Sequence, residues 1–249
     1  MDVALAAIAF APGLAIGSFL NVVAARLPQQ RSVATGRSAC LACGTQIAWH
    51  DNVPVASWVA LRGRCRSCGE RIGWIYPAVE LAAALLVAGC VLAFGATFDA
   101  LVASFFCLAL VAISAADVRY RVVPNRIVVP AAAVVLVAQT VLHPSPAWAI
   151  GGFGAATFLL LAALAYPKGM GMGDVKLALL LGAMTARAVP VALMVGFLAA
   201  LVPSIVLFAR HGSKARKIAI PFAPFLALGG VVGLFAGDAI LDAYLRLIG

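Results

Sequence analysis

The sequence has very few charged residues for its length. Of its 249 residues only 11% are Asp, Glu, Lys or Arg, whereas 64% are hydrophobic, and the mean hydropathy is +1.07. About a quarter of the residues in an ordinary soluble domain are charged. This shortage of charge excludes a soluble domain of ordinary composition and predicts an all-α protein that crosses a membrane several times.

The first apolar segment lacks the marks of a secretory signal peptide. Asp2 stands where such a peptide would carry a basic region, and no A-x-A-like cleavage site follows the apolar run before Arg26. We therefore expect this segment to be retained as the first transmembrane helix.

Apolar runs of nearly membrane-spanning length recur along the chain. A helix needs about 20 apolar residues to cross a bilayer. About eight runs approach this length, with the sixth the shortest, at residues 3–25, 75–94, 98–116, 126–142, 148–166, 175–186, 189–209 and 221–248. The sequence thus predicts a polytopic protein with about eight transmembrane helices.

The basic residues predict the orientation of these helices. If the loop at 26–74 is cytoplasmic, all but Arg187 and Arg246 of the 18 basic residues lie on the cytoplasmic side. This bias follows the positive-inside rule and places the N terminus outside. The same bias accounts for the net charge of +9. We find no nucleic-acid motif and expect no nucleic-acid partner.

The loop at 26–74 is the one long polar stretch, and it contains two C-x-x-C pairs. The pairs are separated by residues 44–64, and their cysteines are Cys40, Cys43, Cys65 and Cys68. This spacing is typical of a tetrahedral four-cysteine zinc site. Gly44 and Gly69 follow the pairs and indicate tight turns that point both pairs of thiolates at one ion. Zinc would also fold a loop too small to hold a core of its own.

Two disulfides, or four unused thiols, are the alternatives to a zinc site. A cytoplasmic location argues against disulfides because that compartment is reducing. His50 is a possible substitute ligand, although a histidine so placed is more often an ordinary loop residue. Cys90 and Cys107 lie inside apolar runs and are expected to pack as small hydrophobic side chains.

Three of the nine acidic residues lie in or beside the predicted membrane helices: Glu80, Asp117 and Asp174. Ionisable groups at membrane depth are costly and are functional candidates for that reason. Asp117 ends the third apolar run and Asp174 precedes the sixth, so both are expected at the cytoplasmic boundary. Two such carboxylates can share one proton. One can then take a proton from water while the other donates to a carbonyl oxygen, as in an aspartic protease.

Alternating glycines precede Asp174 in "KGMGMGD". Gly169, Gly171 and Gly173 remove side chains and would let an extended peptide backbone approach the carboxylate. Alternatively, Asp174 only caps the helix that follows, since Asp is favourable near a helix N-terminus. That alternative does not explain three alternating glycines or a second aspartate at the same depth.

At these residues the sequence resembles the type IV prepilin peptidases, the GxGD aspartic proteases of the bacterial inner membrane. Six segments match the family pattern in order: "GSFLNVVAARLP", the four-cysteine loop with "NVPVASWVALRGRC", "YPAVEL", "DVRYRVVPN", "GMGDVKL" and "PFAPFLALGG". The match covers nearly the whole chain. A lone GxGD would be weak evidence, whereas six ordered segments are strong.

The resemblance implies a bifunctional enzyme with Asp117 and Asp174 as its proteolytic pair. Such enzymes cleave the leader of prepilins and pseudopilins at the cytoplasmic face. They then N-methylate the new N terminus with S-adenosylmethionine, and the cysteine loop is tied to that methylation. We therefore expect a first transmembrane helix at 1–25, a cytoplasmic zinc-type loop domain at 26–74 and a transmembrane helical protease core at 75–249. The sequence leaves the clients, the methyl-donor site and the oligomeric state open.

Several further residues have two interpretations each. Glu80 either pairs with a functional cation or anchors its helix. Ser18 and Asn21 share a helix face, where packing is the simpler role. Lys176 either tunes Asp174 or anchors a helix at the cytoplasmic face. A proton-relay transporter and a scaffold without chemistry are the competing functions, but a relay would usually place its carboxylates near the midplane.

Overall fold

A computed structural model of the chain describes residues 2–34, 36–166, 170–212 and 220–248. Within these ranges the chain is helical apart from its connections and two isolated β-bridges. The α-helices are α1 Asp2–Arg26, α2 Ala56–Ala60, α3 Ile75–Phe94, α4 Phe98–Tyr120, α5 Asn125–Leu142, α6 Ala147–Ala165, α7 Met172–Thr185, α8 Val189–His211 and α9 Ala223–Ile248. Short 3₁₀ turns occur at Trp49–Asn52 and Ala186–Ala188.

Seven stretches of the described chain are long and apolar enough to cross a membrane. One of them, Met172–His211, contains both α7 and α8. The eight predicted runs correspond to α1 and α3–α9, which confirms an all-α, multi-pass fold. The sixth run is the exception in length, because α7 has only 14 residues.

The chain divides into two compact units, Met1–Ala115 and Ala116–Gly249. The first contains the four-cysteine loop, and the second contains both Asp117 and Asp174. The sequence predicts a different kind of division, at 25/26 and 74/75, which separates the polar loop from the membrane helices. The two compact units do not test that division, and it stays a prediction.

In the first unit, α1 packs closely on α3. A Cβ atom at Gly13 would lie 2.7 Å from Cα of Ala84, and one at Gly17 would lie 2.6 Å from Cα of Glu80. These glycines, four residues apart, let the two backbones touch, as small residues do between membrane helices. Asn21 donates from Nδ2 to the Tyr76 carbonyl at 3.0 Å, so its role here is helix packing.

In the second unit, α7 lies at the centre and contacts α5, α6, α8 and α9. After Lys176 its sequence is almost entirely apolar, and a helix that is apolar all round is buried. Most of α7 is buried accordingly, including Leu177, Leu180 and Leu181. A Cβ atom at Gly182 would collide with the Gly151 carbonyl, so glycine permits the close packing of α7 on α6.

A charged group follows the C-terminal end of α7. Arg187 donates from Nε to Asp238 at 2.8 Å and from Nη2 to Asp242 at 3.2 Å. All three side chains are substantially exposed. The group therefore joins the turn between α7 and α8 to one face of α9.

Candidate active site and metal centre

The two cysteine pairs form matching turns. The Gly44 N–H donates to the Cys40 carbonyl at 2.9 Å, and the Gly69 N–H donates to the Cys65 carbonyl at 3.0 Å. The φ angles of the two glycines, 71° and 73°, lie in the left-handed region that favours glycine. An isolated β-bridge closes each turn. The prediction of tight turns marked by these glycines is confirmed.

These turns bring four sulfur atoms together. The Sγ atoms of Cys40, Cys43, Cys65 and Cys68 all lie within 4.8 Å of one another. The Cys40 and Cys68 sulfurs are 3.8 Å apart. Four sulfurs at about 2.3 Å from one zinc ion would be roughly 3.8 Å apart in a tetrahedron. The cluster could therefore bind a metal ion of that size, and His50 is not part of it.

The thiols of the cluster differ in acidity. The pKa of Cys43 is lowered to about 6, first by hydrogen bonds with the side chain and backbone of Thr45. The Glu70 backbone lowers the pKa of Cys68, but the neighbouring thiols, Cys43 first, and burial raise it to about 12. A metal ion binds thiolates, so binding here would displace the proton held by Cys68.

An ion pair stabilises the loop around the four-cysteine cluster. Arg66 donates to both carboxylate oxygens of Asp51, at 2.8 Å and 2.6 Å. Its guanidinium, by hydrogen bond and by charge, lowers the pKa of Asp51. Because Arg66 lies between Cys65 and Cys68, this pair ties the second cysteine turn to the 3₁₀ turn at Trp49–Asn52.

Asp174 lies in the first turn of α7. Its Oδ2 accepts a long hydrogen bond, 3.4 Å, from the N–H of Gly171, the residue that precedes the helix. This hydrogen bond supports the alternative that Asp174 caps the helix. Lys176 donates to Oδ1 of Asn125 at 2.8 Å and so joins α7 to the start of α5.

Asp117 lies near the C-terminal end of α4 and is 6% exposed. Its Oδ2 accepts the Ala223 N–H at 3.0 Å, and the Phe222 backbone N–H also donates to this carboxylate. Both donors belong to the N-terminal end of α9, where free N–H groups stabilise negative charge. Sequence reasoning missed this partner, although "PFAPF" at the start of a long apolar run marks such a helix start.

Asp117 lies close enough to Asp174 for their two charges to interact. The packing of Gly173 contributes to this proximity. A Cβ atom at Gly173 would lie 2.7 Å from Cβ of Val123. Glycine here lets the segment after Asp117 touch the start of α7, directly beside Asp174.

The glycines before Asp174 thus have different roles. Gly173 makes room for Val123 within the protein, which is not the backbone approach expected from the sequence. A Cβ atom at Gly171 would meet only Oδ2 of Asp174, at 3.6 Å, an ordinary contact. Gly171 therefore keeps its predicted role, which is to let a peptide backbone approach Asp174. Gly169 and Lys168 lie outside the described residues, as do Lys214, Arg216 and Lys217.

The two cysteines of the apolar runs behave as expected. Cys90 and Cys107 are fully buried, and their sulfurs are 3.9 Å apart. They are separate from the four-cysteine cluster.

Comparison with known proteins assigns the chain to a family. Residues 12–94 match the bacterial peptidase A24 N-terminal domain, and residues 104–208 match the type IV leader peptidase family. A prepilin leader peptidase/N-methyltransferase of Bacillus subtilis (strain 168) is 32% identical over 96% of this chain and 98% of that protein. The chain belongs to the type IV leader peptidase family. The family resemblance seen in the sequence is therefore confirmed.

Further relatives are also prepilin leader peptidase/N-methyltransferases. The Xanthomonas campestris pv. campestris protein is 34% identical over 95% of this chain and 93% of its own length. The Pseudomonas aeruginosa protein is 31% identical over 95% of this chain and 92% of its own length. No solved structure matches the chain. The predicted enzyme class agrees with these names, and the seven apolar stretches agree with a multi-pass membrane enzyme.

Proposed function

We propose that the protein removes the leader peptide of type IV prepilins or pseudopilins and then N-methylates the new N terminus. Asp117 and Asp174 form its proteolytic pair. The observation that carries this proposal is their placement in one unit, on different helices, with interacting charges. A residue that only capped α7 would not need a second carboxylate beside it.

The hydrogen bonds of the two carboxylates support different roles. Asp117 receives two backbone N–H groups at the start of α9, an arrangement that favours a carboxylate anion. Asp174 receives one long bond. We therefore assign Asp117 as the general base that takes a proton from the attacking water. Asp174 is the acid that protonates the carbonyl oxygen as the water oxygen bonds to the carbonyl carbon.

Cleavage then requires one proton shared between two carboxyl groups. It falls in acid, when both are protonated, and in alkali, when both are ionised. Cleavage that continued to rise through the alkaline range, in enzyme that stays folded, would contradict this mechanism.

The four cysteines hold a structural zinc ion. Its ligands are Cys40, Cys43, Cys65 and Cys68, whose sulfurs are spaced as such an ion requires. The ion would join the two cysteine turns and thereby fold the loop. S-adenosylmethionine is the methyl donor in this proposal, as the N-methyltransferase name of the relatives implies, and we assign no residue to it.

The protein lies in the bacterial inner membrane, in contact with lipid. Its N terminus is outside and its cysteine loop is cytoplasmic, an orientation supported by the distribution of basic residues. Arg187 and Arg246 are then the basic residues on the outer side. In this orientation Asp117 and Asp174 face the cytoplasmic side, where a leader peptide leaves the membrane.

Product masses test the proposal directly. Purified protein is incubated with a candidate prepilin, with and without S-adenosylmethionine. We expect loss of the leader in both samples and one added methyl group, about 14 Da, only with the donor. An intact prepilin in both samples would contradict the proposed function and favour a transporter or a scaffold.

A further inference from the structure

Glu80 is a buried acidic residue that the proposed chemistry does not use. It lies on α3 and is 8% exposed. Its Oε2 accepts the Val55 N–H at 2.7 Å, and the Ser18 side chain also hydrogen-bonds to its carboxyl group. Gly17 packs against its Cα atom. Three segments, α1, α3 and the start of α2, therefore meet at this one carboxyl group.

The residue that Glu80 holds has an unfavourable backbone conformation. Val55 has φ 59° and ψ −50°, and the Ala56 N–H donates to the Pro54 carbonyl across it. This is a classic γ-turn, which is rare and strained. A β-branched residue at positive φ is a strong outlier, and such strain persists only where neighbouring contacts impose it. A short hydrogen bond to a buried carboxyl group is a contact of sufficient strength.

The strained turn leads directly to the second cysteine turn. Val55 precedes α2, and Trp58 of α2 donates from Nε1 to the Ile72 carbonyl at 3.0 Å. The Ile72 N–H in turn donates to the Gly63 carbonyl at 2.7 Å. Gly63 and Ile72 flank the β-bridge that closes the turn of Cys65 and Cys68. A continuous series of bonds thus runs from Glu80 to the cysteine turn.

We propose that Glu80 is a positioning residue that fixes the four-cysteine loop against α3 by holding the Val55 turn. Glu80 is not a metal ligand, so the metal site forms without it. What depends on Glu80 is the place of the loop relative to the membrane helix. The consequence for activity rests on the proposed function and on the link between this loop and methylation that the family resemblance implies.

Hydrogen exchange measures the positioning itself, without any activity. In Glu80→Ala, amides of residues 53–61 should exchange faster by on the order of 10- to 100-fold, the expected loss for a hydrogen bond to a charged group. Glu80→Gln keeps a carbonyl acceptor but loses the charge, so its exchange should lie between wild type and Glu80→Ala. Bound metal should stay unchanged in both variants. Unchanged exchange in Glu80→Ala would overturn the proposal.

A second substitution that relieves the strain at Val55 should reverse the effect of Glu80→Ala. Glycine adopts positive φ readily, so Val55→Gly should restore slow exchange in the Glu80→Ala background. A Glu80 that only stabilised α3 would not be rescued by a change at Val55. Failure of this rescue would also overturn the proposal.

Methylation and cleavage rates then test the consequence. We expect Glu80→Ala to lower kcat/KM for methylation at least about tenfold, while cleavage changes less than about threefold. Val55→Gly should restore methylation in the double variant. Wild-type protein that does not methylate would contradict the proposed function, and the exchange result would still decide the role of Glu80. Equal losses of both activities would overturn the selective role.

Discussion

The four-cysteine loop and the aspartate pair are built in opposite ways. The loop takes its four cysteines from two short turns with the same hydrogen bonds and the same glycine conformation. The aspartates come from α4 and α7, and they depend on Val123 and on the start of α9 for their placement. A local site tolerates change elsewhere, whereas a site built from several helices does not. The following experiments test that contrast.

The largest effect should follow from neutralising either aspartate. Asp117→Asn and Asp174→Asn should each lower leader cleavage by about 10²–10⁴-fold, because each removes a proton acceptor or donor. Quantitative mass spectrometry of prepilin measures the loss. Asp242→Asn, on α9, is the matched control and should cleave normally. Near-wild-type cleavage by either active-site variant would remove that residue from the pair.

Loss of one cysteine ligand should abolish metal binding and leave the aspartate pair in place. Cys40→Ser or Cys65→Ser should lose the bound metal and most methylation, since a structural zinc site needs all four ligands. Metal analysis and methylation assays measure the effect, with buried Cys90→Ser as control. If cleavage fell as far as methylation, the loop would not be a separate local site.

The start of α9 should matter to cleavage through the Ala223 N–H, one of the two N–H groups that Asp117 accepts. Proline is tolerated at the first position of a helix and lacks this donor, so Ala223→Pro removes one hydrogen bond from Asp117. We expect the kcat of cleavage to fall roughly 10- to 100-fold, the usual loss for a bond to a charged group. Ala223→Gly keeps the N–H and should cleave near the wild-type rate. Equal activity of these two variants would show that cleavage does not depend on the hydrogen bond from the start of α9 to Asp117.

The smallest effect should come from the glycines before Asp174, and it should differ between them. Gly173→Ala forces a methyl group against Val123 and should lower the free energy of unfolding by about 1–3 kcal/mol, as overpacking does. Gly171→Ala meets only an ordinary contact and should unfold like the wild type. Denaturation and cleavage assays compare the two variants. Equal losses of cleavage, with the unfolding free energy unchanged in both variants, would restore the view that both glycines serve substrate approach alone.

The sequence predicted local features better than contacts between distant segments. The C-x-x-C spacing and the glycines after each pair were enough to predict the cysteine turns. Shared depth predicted that Asp117 and Asp174 lie near each other, and their role as a proteolytic pair stays a prediction. The partner of Asp117 at Ala223, 106 residues away, could not be read from spacing, because it depends on how α9 packs. The role of Gly173 against Val123 was missed for the same reason.

Glu80 illustrates the other limit of sequence reasoning. Its place inside an apolar run marked it as a functional candidate, but nothing in the pattern indicated a strained valine 25 residues earlier as its partner. A valine is an ordinary residue in a sequence, and its positive φ is visible only in the structure.

The length of α7 has a consequence for the supply of water. Fourteen residues rise about 21 Å, whereas the hydrocarbon core is about 30 Å thick. In the proposed orientation, Arg187, paired with Asp238 and Asp242, would hold the far end of α7 at the outer surface. The near end of α7 would then lie roughly 9 Å inside an undistorted bilayer, and Asp174, two residues further along, roughly 12 Å inside, unless the bilayer thins around it. In the proposed function, the short helix therefore sets how far water must travel, or how far the bilayer must thin, before water reaches a peptide bond at Asp174.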